Sequence, residues 1–192
     1  MEFIYSGPNR KREDITGVRF KPNPNGPVHI LQEPVWQDSK DKINNLYVAG
    51  IDGVDIGMAE TSVETRDPSK FCTVIKKRVY GMSEPTYVAY YLDRPNDIRE
   101  AYKQTIGLLM YYQAQANIEA TRISLLTYAR DNKFMQFFMR RPRVCFGDTM
   151  KRRSANQYGT TATKAMIEHQ TDLIADYVED YCHNIWFPEF LE

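Results

Sequence analysis

The sequence predicts an α/β domain with a mixed β-sheet of about five strands, flanked by helices and preceded by an irregular N-terminal arm. Three apolar segments of strand length follow one another with short polar connections, which is typical of an antiparallel meander. The apolar residues then change to helical spacing, and helix and strand segments alternate, which favours parallel additions to the sheet. The chain has 192 residues, and this length suits one domain.

The three meander strands are predicted at residues 45–52, 71–80 and 86–92. They are rich in β-branched and aromatic residues, and turn-forming residues follow them. A first helix is predicted to begin after Asn96-Asp97, a cap-like pair, and to continue to Tyr112. The segments that follow are a strand at 116–120, a helix at 121–132 and a fifth strand at 134–139 (FMQFFM).

The last predicted helix runs from Thr161 to about His183 and is amphipathic. Its apolar side is expected to consist of Met166, Leu173, Ile174, Tyr177, Val178 and Tyr181. Residues 1–44 are rich in Pro, Asn and Gly and are predicted to form the arm, which packs on a body at 45–192.

The composition excludes several classes of protein. No apolar run approaches the ~18 residues that a membrane span needs, so we expect no membrane association. The three cysteines are far apart and form no CxxC pair, which disfavours a disulfide framework or a zinc knuckle. The 25 basic and 25 acidic residues balance, but unevenly: residues 140–153 hold six basic residues and one acidic residue, and residues 165–192 hold seven acidic residues and no Lys or Arg.

Carboxylates at two strand ends are the candidate chemical groups. The sequence contains no GxxxxGK[ST], GxGxxG, GxSxG or HExxH motif. Asp52 ends the first meander strand and Glu119 lies in the fourth strand, so both acids would share one sheet edge if these strands are adjacent and parallel. Paired carboxylates favour Mg²⁺ or Mn²⁺ between them, and two such ions can activate water for phosphodiester cleavage.

Each candidate residue also has a structural interpretation. Asp52 suits a turn after a strand, Glu119 suits the start of a helix, and Asp55 is either an auxiliary ligand or another turn residue. The acids at 172, 176 and 180 recur at i, i+4 and i+8, which favours a solvated helix face. Six basic side chains either guide a phosphate backbone or form a solvated face: Arg140, Arg141, Arg143, Lys151, Arg152 and Arg153.

The order of these elements and motifs resembles RNase H-like nucleases. More specifically, it resembles the C-terminal nuclease domain of the terminase large subunit of tailed bacteriophages. The similar segments span most of the chain: the lead-in at 25–34 (NGPVHILQEP), the first catalytic motif at 46–52 (LYVAGID), the second strand at 69–74 (SKFCTV), the second acidic motif at 117–121 (NIEAT), and the Tyr-Gly segment Gln157-Tyr158-Gly159 with Thr161 and Thr163-Lys164.

The resemblance implies a metal-dependent endonuclease that cuts concatemeric viral DNA during genome packaging. Asp52 and Glu119 would hold Mg²⁺ or Mn²⁺, as two ions, and double-stranded DNA would be the substrate. The full subunit would also carry an ATPase domain and would meet a portal and a small terminase in the cytoplasm of an infected bacterium. The isolated domain would be monomeric.

One departure from the family pattern concerns the third metal-binding acid. The residues Glu189-Phe190-Leu191-Glu192 resemble the beginning of the segment that precedes it, so we expect that acid beyond Glu192, a domain truncated before its last helix, and weakened or lost metal binding. Two alternatives stay open. One is another RNase H-like nuclease of the transposase or resolvase type, and the other is a non-catalytic module for DNA binding or portal docking.

Overall fold

The computed structural model describes residues 1–6, 8, 14–37, 41–42, 45–53, 70–119, 123–141 and 157–190. The strands among these residues are β1 (Glu2–Tyr5), β2 (Ile15–Arg19), β3 (Val28–Ile30), β4 (Trp36–Gln37), β5 (Asp41–Lys42), β6 (Tyr47–Asp52), β7 (Phe71–Lys77), β8 (Thr86–Asp93) and β9 (Gln115–Ile118). The helices are α1 (Ile98–Tyr112), α2 (Ile123–Asp131) and α3 (Lys164–Tyr181).

A mixed five-stranded sheet forms the centre of the molecule, as the sequence predicts. Its order is β3-β8-β7-β6-β9. The meander β6, β7 and β8 is antiparallel throughout, and β9 adds to β6 in the parallel direction. The prediction of an α/β fold with a mixed sheet of five strands is therefore confirmed.

The fifth strand of this sheet is β3, and the strand predicted at residues 134–139 is wrong. Met135–Phe137 form a 3₁₀ turn, and only Phe138 makes an isolated parallel bridge to Ala116. Phe134 and Phe138 are both buried while Gln136 is exposed. Burial four residues apart suits a helical turn, whereas a half-buried strand would alternate at every second residue. The edge position next to β8 is taken by β3, a short strand from the N-terminal arm.

The helix α1 covers one face of the sheet and forms the core with it. Asp97 caps its first turn by accepting a hydrogen bond from the Arg99 amide at 2.9 Å. Ile106, Leu108 and Leu109 are fully buried. Burial alternates along strand β7: Phe71, Thr73, Ile75 and Lys77 are buried, and the residues between them are half-buried. The fully buried side chains of the strand therefore face α1.

The helix α3 lies against the opposite face through few contacts. Thr163 caps it and accepts a hydrogen bond from the Met166 amide at 3.3 Å. Near the other end, the Tyr177 hydroxyl donates to the Pro85 carbonyl at 3.2 Å, and the Lys76 ammonium lies 3.6 Å from the centre of the Tyr177 ring.

The apolar side predicted for this helix is mostly uncovered. Met166 is the buried residue within α3, whereas Leu173, Ile174 and Val178 are 54%, 62% and 43% exposed. Beyond the helix, Phe187 and Phe190 return to pack on the Tyr90 ring. No helix in the described part of the chain combines the length and apolar character that a bilayer crossing demands.

Candidate active site

Asp52 and Glu119 lie next to each other at the carboxyl ends of two neighbouring parallel strands. Strands β6 and β9 pair with Ile51 opposite Ile118, so the residue that follows each isoleucine occupies the next position on its strand. Adjacent strands are separated by ~4.8 Å. Both acids line one cleft of about 560 Å³; Asp52 is exposed and Glu119 is half-buried. The structure therefore brings the two predicted acids together.

The cleft lies on the α3 side of the sheet. Its walls come from β6, β7, β9, the segment before α3, and α3 itself. The helix contributes Gln170 and Ile174, which are one turn apart. The acidic residues Asp172, Asp176 and Asp180 are exposed and are not among the residues that line the cleft. This placement fits the prediction of a solvated acidic face.

Asn117 adds a neutral oxygen to the floor of the cleft. Its Nδ2 atom donates to the Thr160 hydroxyl at 3.3 Å. Its Oδ1 atom is buried and accepts no hydrogen bond within the described residues. A buried acceptor without a donor is costly, and a cation or a bound water would satisfy it. In the sequence, Asn117 is recognisable only as part of the motif at 117–121, because a carboxamide inside a strand gives no signal of its own.

The oxygen-rich lining suits a hard cation. Two carboxylates, two carboxamides and two threonine hydroxyls surround the cleft, from Asp52, Glu119, Asn117, Gln170, Thr160 and Thr161. Mg²⁺ and Mn²⁺ prefer such ligands. No cluster of three or more His, Cys, Asp or Glu residues suited to a metal occurs among the described residues.

A glycine fixes the segment beside Glu119. Gly159 has φ +74°, and a Cβ atom on it would lie 2.3 Å from the Ile118 carbonyl oxygen, so only glycine fits here. The next residue, Thr160, donates its amide to that same carbonyl at 2.9 Å and pairs in parallel with Glu119. The resemblance pointed to Gly159 as part of a motif, and the structure shows its physical role at the end of β9.

The two described arginines of the basic segment have different surroundings. Arg140 is exposed and forms an antiparallel bridge with Tyr158. Arg141 is half-buried, and its Nε atom donates to the Gly159 carbonyl at 2.8 Å. Arg141 therefore braces the glycine segment, a role that the sequence did not predict. Its contact with DNA stays a prediction, as does that of Arg140.

The other predicted site residues lie outside the described part of the chain. These are Asp55 and the basic residues Arg143, Lys151, Arg152 and Arg153.

Cys72 lies opposite Asp52 on strand β7 and also lines the cleft. Burial, with the Asp52 carboxylate as the second cause, raises the pKa of the Cys72 thiol to about 11. The thiol is therefore protonated at neutral pH. Because the thiolate is the nucleophilic form, the Cys72 thiol is a poor nucleophile at neutral pH.

The sequence matches no model of a protein family, and no curated protein matches it.

Proposed function

We propose that this chain is a divalent-metal-dependent DNA endonuclease with an RNase H-like fold. The observation that carries the proposal is the pairing of β6 with β9, which sets Asp52 and Glu119 side by side in one cleft. Two acids that are far apart in the sequence meet at the carboxyl ends of parallel strands. In open α/β sheets, such strand ends are where sites most often form.

The strand order supports the RNase H-like part of the proposal. An antiparallel meander of three strands is extended by a parallel strand next to its first member, which is the order that the motif resemblance implied. The bridge between Phe138 and Ala116 continues the sheet beyond β9 in the parallel direction. A single bridge occupies the place where the sequence predicted the fifth strand.

Asp52 and Glu119 would hold the metal ions, with the Asn117 Oδ1 atom as a neutral oxygen beside them. When bound, such ions supply an activated water and stabilise the oxygen that leaves the phosphorus. The residues of this chain orient the phosphodiester and keep the two carboxylates in register. Exposed Arg140 is suited to neutralise a DNA phosphate without reading the sequence.

The biological setting follows from the motif resemblance. The nuclease would cut concatemeric viral DNA during genome packaging, with Mg²⁺ or Mn²⁺ as two ions. It would act within a terminase large subunit beside an ATPase domain, a portal and a small terminase, in the cytoplasm of the infected bacterium. Its substrate would be double-stranded DNA.

Nicking of supercoiled plasmid in Mn²⁺ and in Mg²⁺ tests the proposal. We expect slow metal-dependent nicking that is lost in Asp52→Asn and in Glu119→Gln, together with loss of Mn²⁺ binding by calorimetry. Asp180→Asn is the matched control, because it removes an exposed carboxylate of α3 that is not part of the cleft lining. Circular dichroism should show the same fold for all variants.

Two results would contradict the proposal in different ways. Duplex binding that persists in EDTA, with no cleavage in either metal, would favour the non-catalytic module for DNA binding or docking. Strong preference for four-way junctions over linear duplex would favour a nuclease of the resolvase type. Unchanged Mn²⁺ binding in Asp52→Asn would remove this residue from the metal site.

A further inference from the structure

An apolar stripe runs along α3 next to its sheet-facing side, and one of its residues, Ile174, also lines the cleft. Ile167 and Ile174 are 50% and 62% exposed, and Val178 is 43% exposed. Together with Thr171, they recur at i, i+4, i+7 and i+11, so they form one row on the helix surface. With a rise of 1.5 Å per residue, the row is about 16 Å long. We call these four residues the α3 stripe.

The contacts that hold α3 to the sheet come from a neighbouring side of the helix. Met166 is buried, Tyr177 packs on Tyr87 at a ring distance of 5.4 Å, and Tyr181 is half-buried. These residues anchor the helix without covering the α3 stripe. Scattered exposed apolar residues are ordinary, but a continuous row of them marks an interaction surface.

An acidic row lies beside the stripe, offset from it by one residue. Glu168, Asp172 and Glu179 follow Ile167, Thr171 and Val178 in the sequence, and all three acids are exposed. Glu168 has a partner in Lys164 at 3.8 Å, whereas no ion pair within the described residues involves Asp172 or Glu179. The whole helix carries five acidic residues and one lysine.

We propose that α3 is the docking site for a basic amphipathic helix of a partner protein. Apolar side chains of that helix would cover the α3 stripe, and flanking Lys or Arg residues would meet the acidic row. Helix-in-groove recognition of this kind uses anchors at i, i+3, i+4 and i+7. Charge complementarity favours a basic partner. The acidic row would orient the partner helix and accelerate its association.

The acidic row disfavours two other occupants. A second copy of this chain would place the five carboxylates of each α3 along the same contact, and like charges across an interface are repulsive. An anionic membrane surface would repel the same row, since such surfaces attract basic segments.

Two synthetic 16-residue helical peptides with a fluorophore provide the test. They share leucines at i, i+3, i+4 and i+7 spacing; one carries Lys at the flanking positions and the other carries Glu. By fluorescence anisotropy, we expect the Lys peptide to bind, more weakly as salt increases, and the Glu peptide not to bind.

Variants locate the binding surface. The double variant Ile167→Ser/Val178→Ser should weaken binding of the Lys peptide at least tenfold. Asp172→Asn/Glu179→Gln keeps the helix and its apolar row, and it should weaken binding several-fold while flattening the salt dependence. Met82→Ser is the matched control, since Met82 is a fully exposed apolar residue in the turn between β7 and β8, and it should leave the affinity unchanged.

Three results would overturn the proposal. They are equal affinity for the two peptides, no binding of the Lys peptide, and a concentration-dependent dimer in sedimentation that becomes monomeric in Ile167→Ser/Val178→Ser. The last result would identify a second copy as the occupant. The Glu119→Gln protein should bind the Lys peptide like the native protein, so this test is separate from that of the nuclease.

Discussion

The two long helices lie on opposite faces of one sheet and differ sharply in how they are held. Eight of the 15 residues of α1 are buried, whereas one of the 18 residues of α3 is buried. The α1 face is apolar and closed. On the opposite face, α3 is held by an aromatic contact, a lysine over a ring and one hydroxyl, and Phe187 and Phe190 pack on Tyr90 beside it. This face contains the carboxylate cleft. The difference indicates that the α1 face buries more of the core, whereas the candidate site lies on the more open face.

This division has a dynamic consequence. Segments with few buried apolar contacts open locally at a lower free energy than the core does. Because α3 contributes Gln170 and Ile174 to the cleft, local opening of α3 would change access to Asp52 and Glu119 without unfolding the sheet.

Truncation of a leucine on each face should give the largest contrast. Leu109→Ala removes a fully buried side chain of α1 and should lower the free energy of unfolding by about 2–5 kcal/mol. Leu173→Ala removes a side chain that is 54% exposed and should change it by less than about 0.5 kcal/mol. Urea unfolding measures both. Equal losses would show that the α3 face contributes to the core after all.

Two glycine-to-alanine variants distinguish the cost of a positive φ from the cost of a steric clash. Gly81 tests the first cost alone, and Gly159, beside the cleft, tests both. Gly81 has φ +59° with open space around the missing Cβ atom, so Gly81→Ala should cost about 1–2 kcal/mol. Gly159 has similar strain and also abuts the Ile118 carbonyl, so Gly159→Ala should cost about 3 kcal/mol. Thermal unfolding compares them. Similar decreases in Tm for both variants would mean that the backbone beside Glu119 shifts to accommodate a Cβ atom at little cost.

Removal of one hydroxyl should loosen α3 while leaving α1 unchanged. Tyr177→Phe loses the hydrogen bond to the Pro85 carbonyl but keeps the ring over which Lys76 lies, at a cost of about 0.5–1.5 kcal/mol. Hydrogen exchange should become faster at residues 164–181 and stay the same at 98–112. Faster exchange in both segments would show that the two faces open together.

The smallest expected effect is on the thiol of Cys72. Its pKa is raised to about 11 by burial and then by Asp52, so the thiolate forms only as the pH rises towards that value. Asp52→Asn removes the second cause, so the pKa should fall, and alkylation of Cys72 at about pH 9.5 should become faster. Mass spectrometry of each cysteine measures the rates, with exposed Cys182 as the internal control. An unchanged Cys72 rate would show that the carboxylate does not act on the thiol.

The sequence predicted the parts of the fold that depend on periodicity. The meander, α1 and the parallel strand β9 follow from the change between alternating and helical apolar spacing. The segment at 134–139 is apolar at five of its six positions, so it has no alternation that would separate a strand from a turn. The apolar positions of α3 were also visible, but a pattern does not show whether anything covers them, and here three of them are exposed.

Only those residues of the candidate site that lie at strand ends could be predicted from the sequence. Asp52 and Glu119 follow from strand ends and the parallel pairing, and the register of β6 with β9 places them as expected. Asn117, Thr160 and the bracing contact of Arg141 depend on segments from different parts of the chain meeting beside β9. Local sequence patterns carry no information about contacts between segments that are distant in the sequence.

The buried hydroxyls of Thr73 and Thr105 share a hydrogen bond of 2.8 Å between β7 and α1. A buried polar pair in an apolar layer adds specificity to the packing, because both hydroxyls are satisfied only at this axial position of α1. Only Gln113 and Ala114 separate α1 from β9, so a slide of the helix would pull on that strand. The two hydroxyls on the closed face thus help to hold β9 in its register with β6, the pairing that sets Asp52 and Glu119 side by side on the other face.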